Sequence, residues 1–228
     1  MKHPARGGGR WVEVAPPRLA GWIESFAGRH PPVTASATGP GVVTFAAGDG
    51  AVAECHVPFP PLPGGVPAAA GAAAEVIVAH VQAPRTVGVL LVRLGGYAVG
   101  VFTGSPPRLA ASKVGSRLVH GRSAAGGRSQ HRFARRREKQ AAEALSAAAD
   151  TAVAVLGPFG GQLDAVVLGG DRRAVSALGD DPRLKRFFDL AGDRFLTVPD
   201  PRLTVLRETP RMFTAIRIRL TEPGRPAK

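Results

Sequence analysis

The sequence predicts an α/β chain, α+β overall, and three observations carry that reading. Beyond residue 75, apolar runs of strand character alternate with stretches of helical periodicity, the order that builds a mixed sheet covered by helices. Before residue 58, a helical stretch precedes β-compatible runs broken by Gly-rich turns, which predicts a small helix-plus-sheet region. Between them, 58–74 is a Pro/Gly tract followed by an Ala-rich one, and its low complexity reads as a linker between regions 1–57 and 75–228. With 228 residues, 44% of them hydrophobic, the chain can bury a sizeable core.

In the first region Trp11-Val12-Glu13-Val14 leads to Pro16-Pro17, which opens a helix where Leu19, Trp22, Ile23 and Phe26 recur at helical spacing and are expected to pack inward. Gly28, Pro31 and Pro32 close that helix. Short β runs fill 33–57, with Gly39-Pro40-Gly41 and Gly48-Asp49-Gly50 as hairpin turns. In the last region 76–81, 87–94 and 97–103 read as strands, the second and third joined by a tight Gly95-Gly96 turn. A weaker strand is expected over 113–121, then a Gly-rich loop, then a long helix from about Ser129 to Leu156 with Ser129 as its N-cap. On that helix Ala134, Ala141, Leu145, Ala148, Ala152 and Val155 form one stripe, while Arg135, Arg136, Lys139, Glu143 and Ser146 lie elsewhere on its surface. A buried-type strand over 163–168 ends at Gly169-Gly170-Asp171; 174–178 and 183–190 are helical, and 215–220 alternates like a final edge strand.

The formal net charge is +13, and it is unevenly placed: between Lys113 and Lys139 there are nine Lys or Arg residues against one acid, Glu138. Concentrated beside a Gly-rich loop, such a surplus points to a polyanion, with nucleic acid the leading partner. The one cysteine, Cys55, has no internal disulfide partner and no companion for a Cys-based zinc site, so the cytoplasm is the expected compartment. No apolar signal-peptide core follows the basic, Gly-rich start, and the apolar tract 87–92 falls far short of the roughly 20 residues a spanning helix needs, so neither export nor a membrane is expected. Arginine far outnumbers lysine and Ala, Gly and Pro are abundant, a composition typical of a GC-rich bacterial genome.

The chemistry concentrates in Ala125-Gly126-Gly127-Arg128-Ser129-Gln130-His131-Arg132-Phe133-Ala134-Arg135-Arg136-Arg137. Gly126 and Gly127 let the main chain approach a ligand closely, and Gln130 offers both a donor and an acceptor. Arg128, Arg132, Arg135, Arg136 and Arg137, with Arg122, His131 and Lys139 beside them, are suited to RNA phosphates. Arginines near a helix start oppose the macrodipole by about 0.3–1 kcal/mol each in the first turn, so stability alone does not select them. The structural alternative pairs them with Asp150, Asp164 or Asp171.

Other chemistries fit less well. The outer glycines of 121–126 have P-loop spacing, but Gly127 stands where the lysine must follow, which argues against a nucleotide cofactor. His120 and His131 lack acidic or cysteine neighbours at ligand spacing, so no metal site is expected. A serine hydrolase lacks its Gly-x-Ser-x-Gly elbow.

Three stretches together resemble a known family. The runs 87–97, then Gly126-Gly127 with Arg132-Phe133-Ala134-Arg135, then 163–170, resemble in order and spacing the catalytic middle domain of eukaryotic and archaeal translation release factors, over about 75–210. If Arg132-Phe133-Ala134-Arg135 sets the register, the glutamine of the release factors' Gly-Gly-Gln falls on Arg128, and Gln130 comes two places later. That departure fits the Vms-type release-factor-like proteins, whose Gly-x-x-Gln loop is similar to 125–130 and whose actinobacterial branch is regarded as a peptidyl-tRNA hydrolase. The resemblance implies a release-factor middle-domain fold, catalytic roles for Gly126, Gly127, Ser129 and Gln130, and peptidyl-tRNA on the large ribosomal subunit as partner. It also implies codon-independent action, since the length leaves no room for separate codon-reading and partner-binding domains. Two other activities stay open: an RNA endonuclease cutting tRNA near its 3′ end, and a non-catalytic ribosome-binding module.

Overall fold

The computed structural model describes residues 2–4, 8–93, 95–116 and 129–223, and for 2–4 and 129–139 the backbone alone. In chain order the elements are β1 (Lys2–Pro4), β2 (Arg10–Val14), α1 (Leu19–Arg29), β3 (Val33–Gly39), β4 (Val42–Ala47), β5 (Val52–His56), α2 (Ala70–Gln82), β6 (Arg85–Arg93), β7 (Gly96–Gly104) and β8 (Arg108–Ser116). Then follow α3 (Ser129–Leu156), β9 (Ala165–Gly170), α4 (Arg172–Gly179), α5 (Lys185–Phe188), β10 (Ala191–Leu196), α6 (Leu203–Phe213) and β11 (Ile216–Thr221). They form two units: Met1–Ala83 with Arg211–Lys228, and Pro84–Pro210. The tract 58–74 therefore falls inside the first unit, and the last strand belongs there too.

In the first unit a six-stranded sheet runs in the order β1-β2-β11-β5-β4-β3, with every neighbouring pair antiparallel. Pro16 and Pro17 preset the turn entering α1, whose Leu19, Ile23 and Phe26 are buried one helical turn apart. Trp22 is half-buried and stacks on Phe26, ring centres 5.8 Å apart. Both glycine-rich turns close hairpins as expected, β3–β4 and β4–β5, with Gly50 at φ +87°. Alternate residues of the strands, among them Val43, Phe45, Ala53 and Cys55, meet both helices in one core. A fully buried side chain such as Phe45 stabilises that core by about 1.5–3 kcal/mol. The same burial pushes the Cys55 thiol well above its ordinary range.

Two expectations are corrected here. Residues 76–81 form no strand; they belong to α2, which begins at Ala70 within the tract read as linker. The alanines before Glu75 are strong helix formers, and Ala73, Ala74, Ile77, His80 and Val81 are buried at helical spacing, which a short apolar run could not reveal. Nor is the last strand at an edge. β11 lies between β2 and β5 and buries Ile216, Ile218 and Leu220, so its alternation marks one covered face while both its edges are paired.

The second unit holds a mixed sheet in the order β10-β9-β6-β7-β8, so the α/β reading of the fold class holds. β10, β9 and β6 are parallel, and β6-β7-β8 is an antiparallel meander. β6 is buried in an unbroken run from Val87 to Val92, as a strand covered on both faces must be. On one face a Cβ at Gly88 would sit 3.2 Å from Leu156 of α3; on the other, a Cβ at Gly100 would sit 2.9 Å from Leu206 of α6. The weak strand expected over 113–121 is instead β8, which starts at Arg108 because its register with β7 reaches back to Thr103; residues 117–121 lie outside the described residues. β10 and α6 were not expected: β10 carries Gly192 and Asp193 inside a short run, and α6 carries Pro210.

Candidate functional site

The β6–β7 turn and the end of β8 come together at one end of the mixed sheet, since Gly96 pairs with both Arg93 and Ser116. α3 returns over the sheet from that end. Its last residue packs by Gly88 in the first half of β6, and its Thr151 Oγ1 donates to the hydroxyl of Tyr97 at 3.4 Å, beside the turn. The roughly 22 helical steps from Ser129 to Thr151 rise about 33 Å, so the first turns of α3 reach well past the sheet's end. Residues 117–128, which link Ser116 to Ser129, carry the Gly-rich part of the motif. Arg122, Gly126, Gly127 and Arg128 lie outside the described residues, as does His120.

Ser129 and Gln130 open α3, and His131, Arg132, Arg135, Arg136, Arg137 and Lys139 follow along it. The helix starts at Ser129 itself, within one residue of the cap position expected for it. Gln130, Ala134 and Arg137 are spaced by four and three and continue into Ala141, half-buried Leu145 and buried Ala148 and Ala152. Arg132, Arg135, Arg136 and Lys139 fall on the line that continues into exposed Glu143, Ser146, Asp150 and Ala154. The backbone thus places the glutamine on the sheet-side stripe and four cations on the opposite one. Along the described packing part of the stripe Val155 is half-buried, and Leu156 is the buried residue at the helix end.

The three acids that could have partnered the arginines make contacts elsewhere. Asp150 accepts from Arg183 at 2.8 Å, and Asp164 accepts from the Thr86 backbone N–H at 2.7 Å. Asp171 Oδ1 accepts from the N–H groups of Arg173 and Ala174 at 2.9 and 3.0 Å, capping α4. The Gly169-Gly170 step before it is structural: Gly170 has φ +106°, and a Cβ there would overlap the Val92 carbonyl. Asp171 N–H donates to that same carbonyl at 2.7 Å, tying the end of β9 to the end of β6.

Beside this junction, and beneath α3, lies a cavity of about 390 Å³. Its walls are Val92, Tyr97, Ala141, Ala144, Leu145, Ala174 and Ala177, with Gly95 and Gly96 on the turn and Arg93, Asp171 and Arg173 also lining it. The Tyr97 ring lies across Gly115 of β8, where a Cβ would overlap it. None of these cavity residues was singled out from the sequence as a site residue. The signal present was the chain's single tyrosine directly after a Gly-Gly turn. Among the described residues, no group of three or more His, Cys, Asp or Glu side chains could hold a metal ion, and no helix is long and apolar enough to cross a membrane.

The family model described as "Actinobacteria/chloroflexi VLRF1 release factor" matches residues 85–219, more than half of the chain. No curated protein matches it. Among solved structures, an archaeal translation termination factor, aRF1, is similar with 16% identity and a TM-score of 0.42, over 72% of this chain and 47% of that one. A structure described as an archaeal protein is similar with 17% identity and a TM-score of 0.35, over 72% of this chain and 48% of that one. The chain thus spans about half the length of these two structures.

Proposed function

Because the chain belongs to the actinobacteria/chloroflexi VLRF1 release factor family, we propose that it is a peptidyl-tRNA hydrolase. It frees nascent peptides from stalled, ribosome-bound peptidyl-tRNA without reading a codon, and it works in the cytoplasm. The observation that carries this reading is the place of Gln130, in the first turn of a helix that reaches past its sheet and offers four cations on its opposite stripe.

The reaction is hydrolysis of the ester between the peptide and the 3′-terminal ribose. Water attacks the carbonyl, the ribose oxygen leaves with a proton, and the products are a peptide acid and a tRNA. A neutral carboxamide is no effective base, so Gln130 orients the water. N–H groups of the Gly126-Gly127 and Ser129 backbone meet the developing oxyanion, and the proton passes through the substrate's own 2′-hydroxyl or ribosomal RNA. Gly126 and Gly127 keep the approaching chain thin. Arg122, Arg128, His131, Arg132, Arg135, Arg136, Arg137 and Lys139 hold RNA phosphates, and affinity falls with added salt.

The test is Gln130→Ala, assayed on peptidyl-tRNA bound to isolated large subunits. Release is expected to fall by about 10²–10³, with ribosome binding retained. Unchanged release removes the catalytic role of Gln130, and a shortened tRNA product replaces hydrolysis with endonuclease chemistry.

A further inference from the structure

The cavity of about 390 Å³ beside the β6–β7 turn has the chemistry of a nucleotide site. Its volume is at the small end for ligand pockets, room for one planar group and little more. Alanines form two of its walls, Ala141 and Ala144 from α3 and Ala174 and Ala177 from α4, and the Tyr97 ring adds an aromatic surface. Small side chains on facing helices leave a flat slot, the shape that accepts a base by its faces.

The charged lining residues supply the rest of the recognition. Both capping bonds of Asp171 fall on Oδ1, and among the described residues Oδ2 accepts none. A carboxylate oxygen with spare capacity selects a donor, and on a base that donor is an exocyclic amino group, which adenine, cytosine and guanine carry and uracil lacks. Arg173 is exposed and also lines the cavity, whereas the Arg93 side chain lies on the other face of the sheet, where its Nη1 donates to the Val198 carbonyl at 2.9 Å. The Arg173 guanidinium suits the phosphate of the same nucleotide. An anion at the α4 N-terminus itself is disfavoured, because Asp171 already takes its N–H groups.

We infer that this cavity binds one unpaired, amino-bearing nucleobase of the RNA, adenine, cytosine or guanine but not uracil, with Arg173 on its phosphate. The inference rests on RNA being the substrate, and it adds a base-reading subsite outside the Gly126–Gln130 motif.

The test uses the full chain and short single-stranded RNAs of equal length ending in A, C, U or G, with affinity read across a salt series. A, C or G at the 3′ end should bind about tenfold tighter than U, equivalent to about 1.4 kcal/mol. Filling the slot with Ala144→Leu and Ala177→Leu should abolish that preference while leaving the salt dependence in place. Asp171→Asn keeps the Oδ1 cap and replaces Oδ2 by a donor, so it should erase or invert the preference without unfolding the protein. Free AMP should compete for the slot, whereas N-acetyl-phenylalanine amide should not. Equal affinity for all four ends, or a preference that survives the filled slot, overturns the subsite alone. Competition by the amino-acid amide in place of AMP assigns the cavity to a peptide side chain and also overturns it. RNA binding absent from the start overturns the RNA-substrate reading, and the subsite with it.

Discussion

At Gly170 the backbone adopts φ +106° while a side-chain carbon would run into the Val92 carbonyl, so two independent constraints exclude any other residue. Gly170→Ala is expected to cost about 1–3 kcal/mol, read as a lower urea midpoint. The same junction explains why a Gly-Gly-Asp string is informative: the glycines permit close strand approach, and the aspartate caps the next helix. A second residue-scale expectation concerns Asp181, whose carboxyl is held below the usual range by hydrogen bonds from the Arg183 side chain and backbone N–H. A carboxylate with a lowered folded-state value adds stability that is complete above the ordinary carboxylate range and is lost as pH falls through the lowered value. The urea midpoint should therefore drop on acidification from about pH 5 to about pH 2. In Arg183→Gln that part of the slope should flatten, whereas an unchanged profile would show that the pair contributes nothing.

At the scale of elements, α3 sets Arg132, Arg135, Arg136 and Lys139 on the line opposite its packing stripe, while Arg137 falls on the stripe. Arg132 stands in the first turn, where the helix dipole disfavours a cation by about 0.3–1 kcal/mol, so Arg132→Glu should raise the urea midpoint slightly while weakening RNA binding. Opposite signs from one substitution separate a binding role from a structural one. Adding Arg136→Glu should lower affinity again and reduce the salt slope by about 0.7 for each single-strand phosphate that is no longer neutralised. If RNA affinity and salt slope stay put, the phosphate grip is wrong. Long periodic elements such as α3 and β6 were legible in the sequence because each has a sustained pattern and a covered face. The Ala-rich α2 was not, since a short apolar run at 76–81 fits a strand or a helix equally and only its neighbours in the core decide. The cavity was hidden for a related reason: apart from Tyr97, its walls are mostly scattered alanines, glycines and aliphatic residues of β6, β7, α3 and α4 that carry no signal individually.

For the whole molecule, the decisive feature is that the chain leaves the first unit after Ala83 and re-enters it at Arg211. Composition marked 58–74 as the boundary because prolines and glycines are locally punctuating; β11 pairs with β2 and β5 over long separation, which joins Arg211–Lys228 to Met1–Ala83. A chain ended at Pro210 lacks β11, which joins β2 to β5, so the first sheet should split into two fragments with exposed edges. Hydrogen exchange is expected to show lost protection in β2, β4 and β5 while β6 and β9 stay protected; protection retained throughout would refute the central role of β11.

The placement of β11 also orders events in time. Translation delivers Ile216 to Thr221 after every other strand of the first sheet, so β2 and β5, though made earlier, must wait for the piece that joins them. The interior segment from Pro84 to Pro210 is under no such delay, and it can mature while its older neighbour is still unfinished.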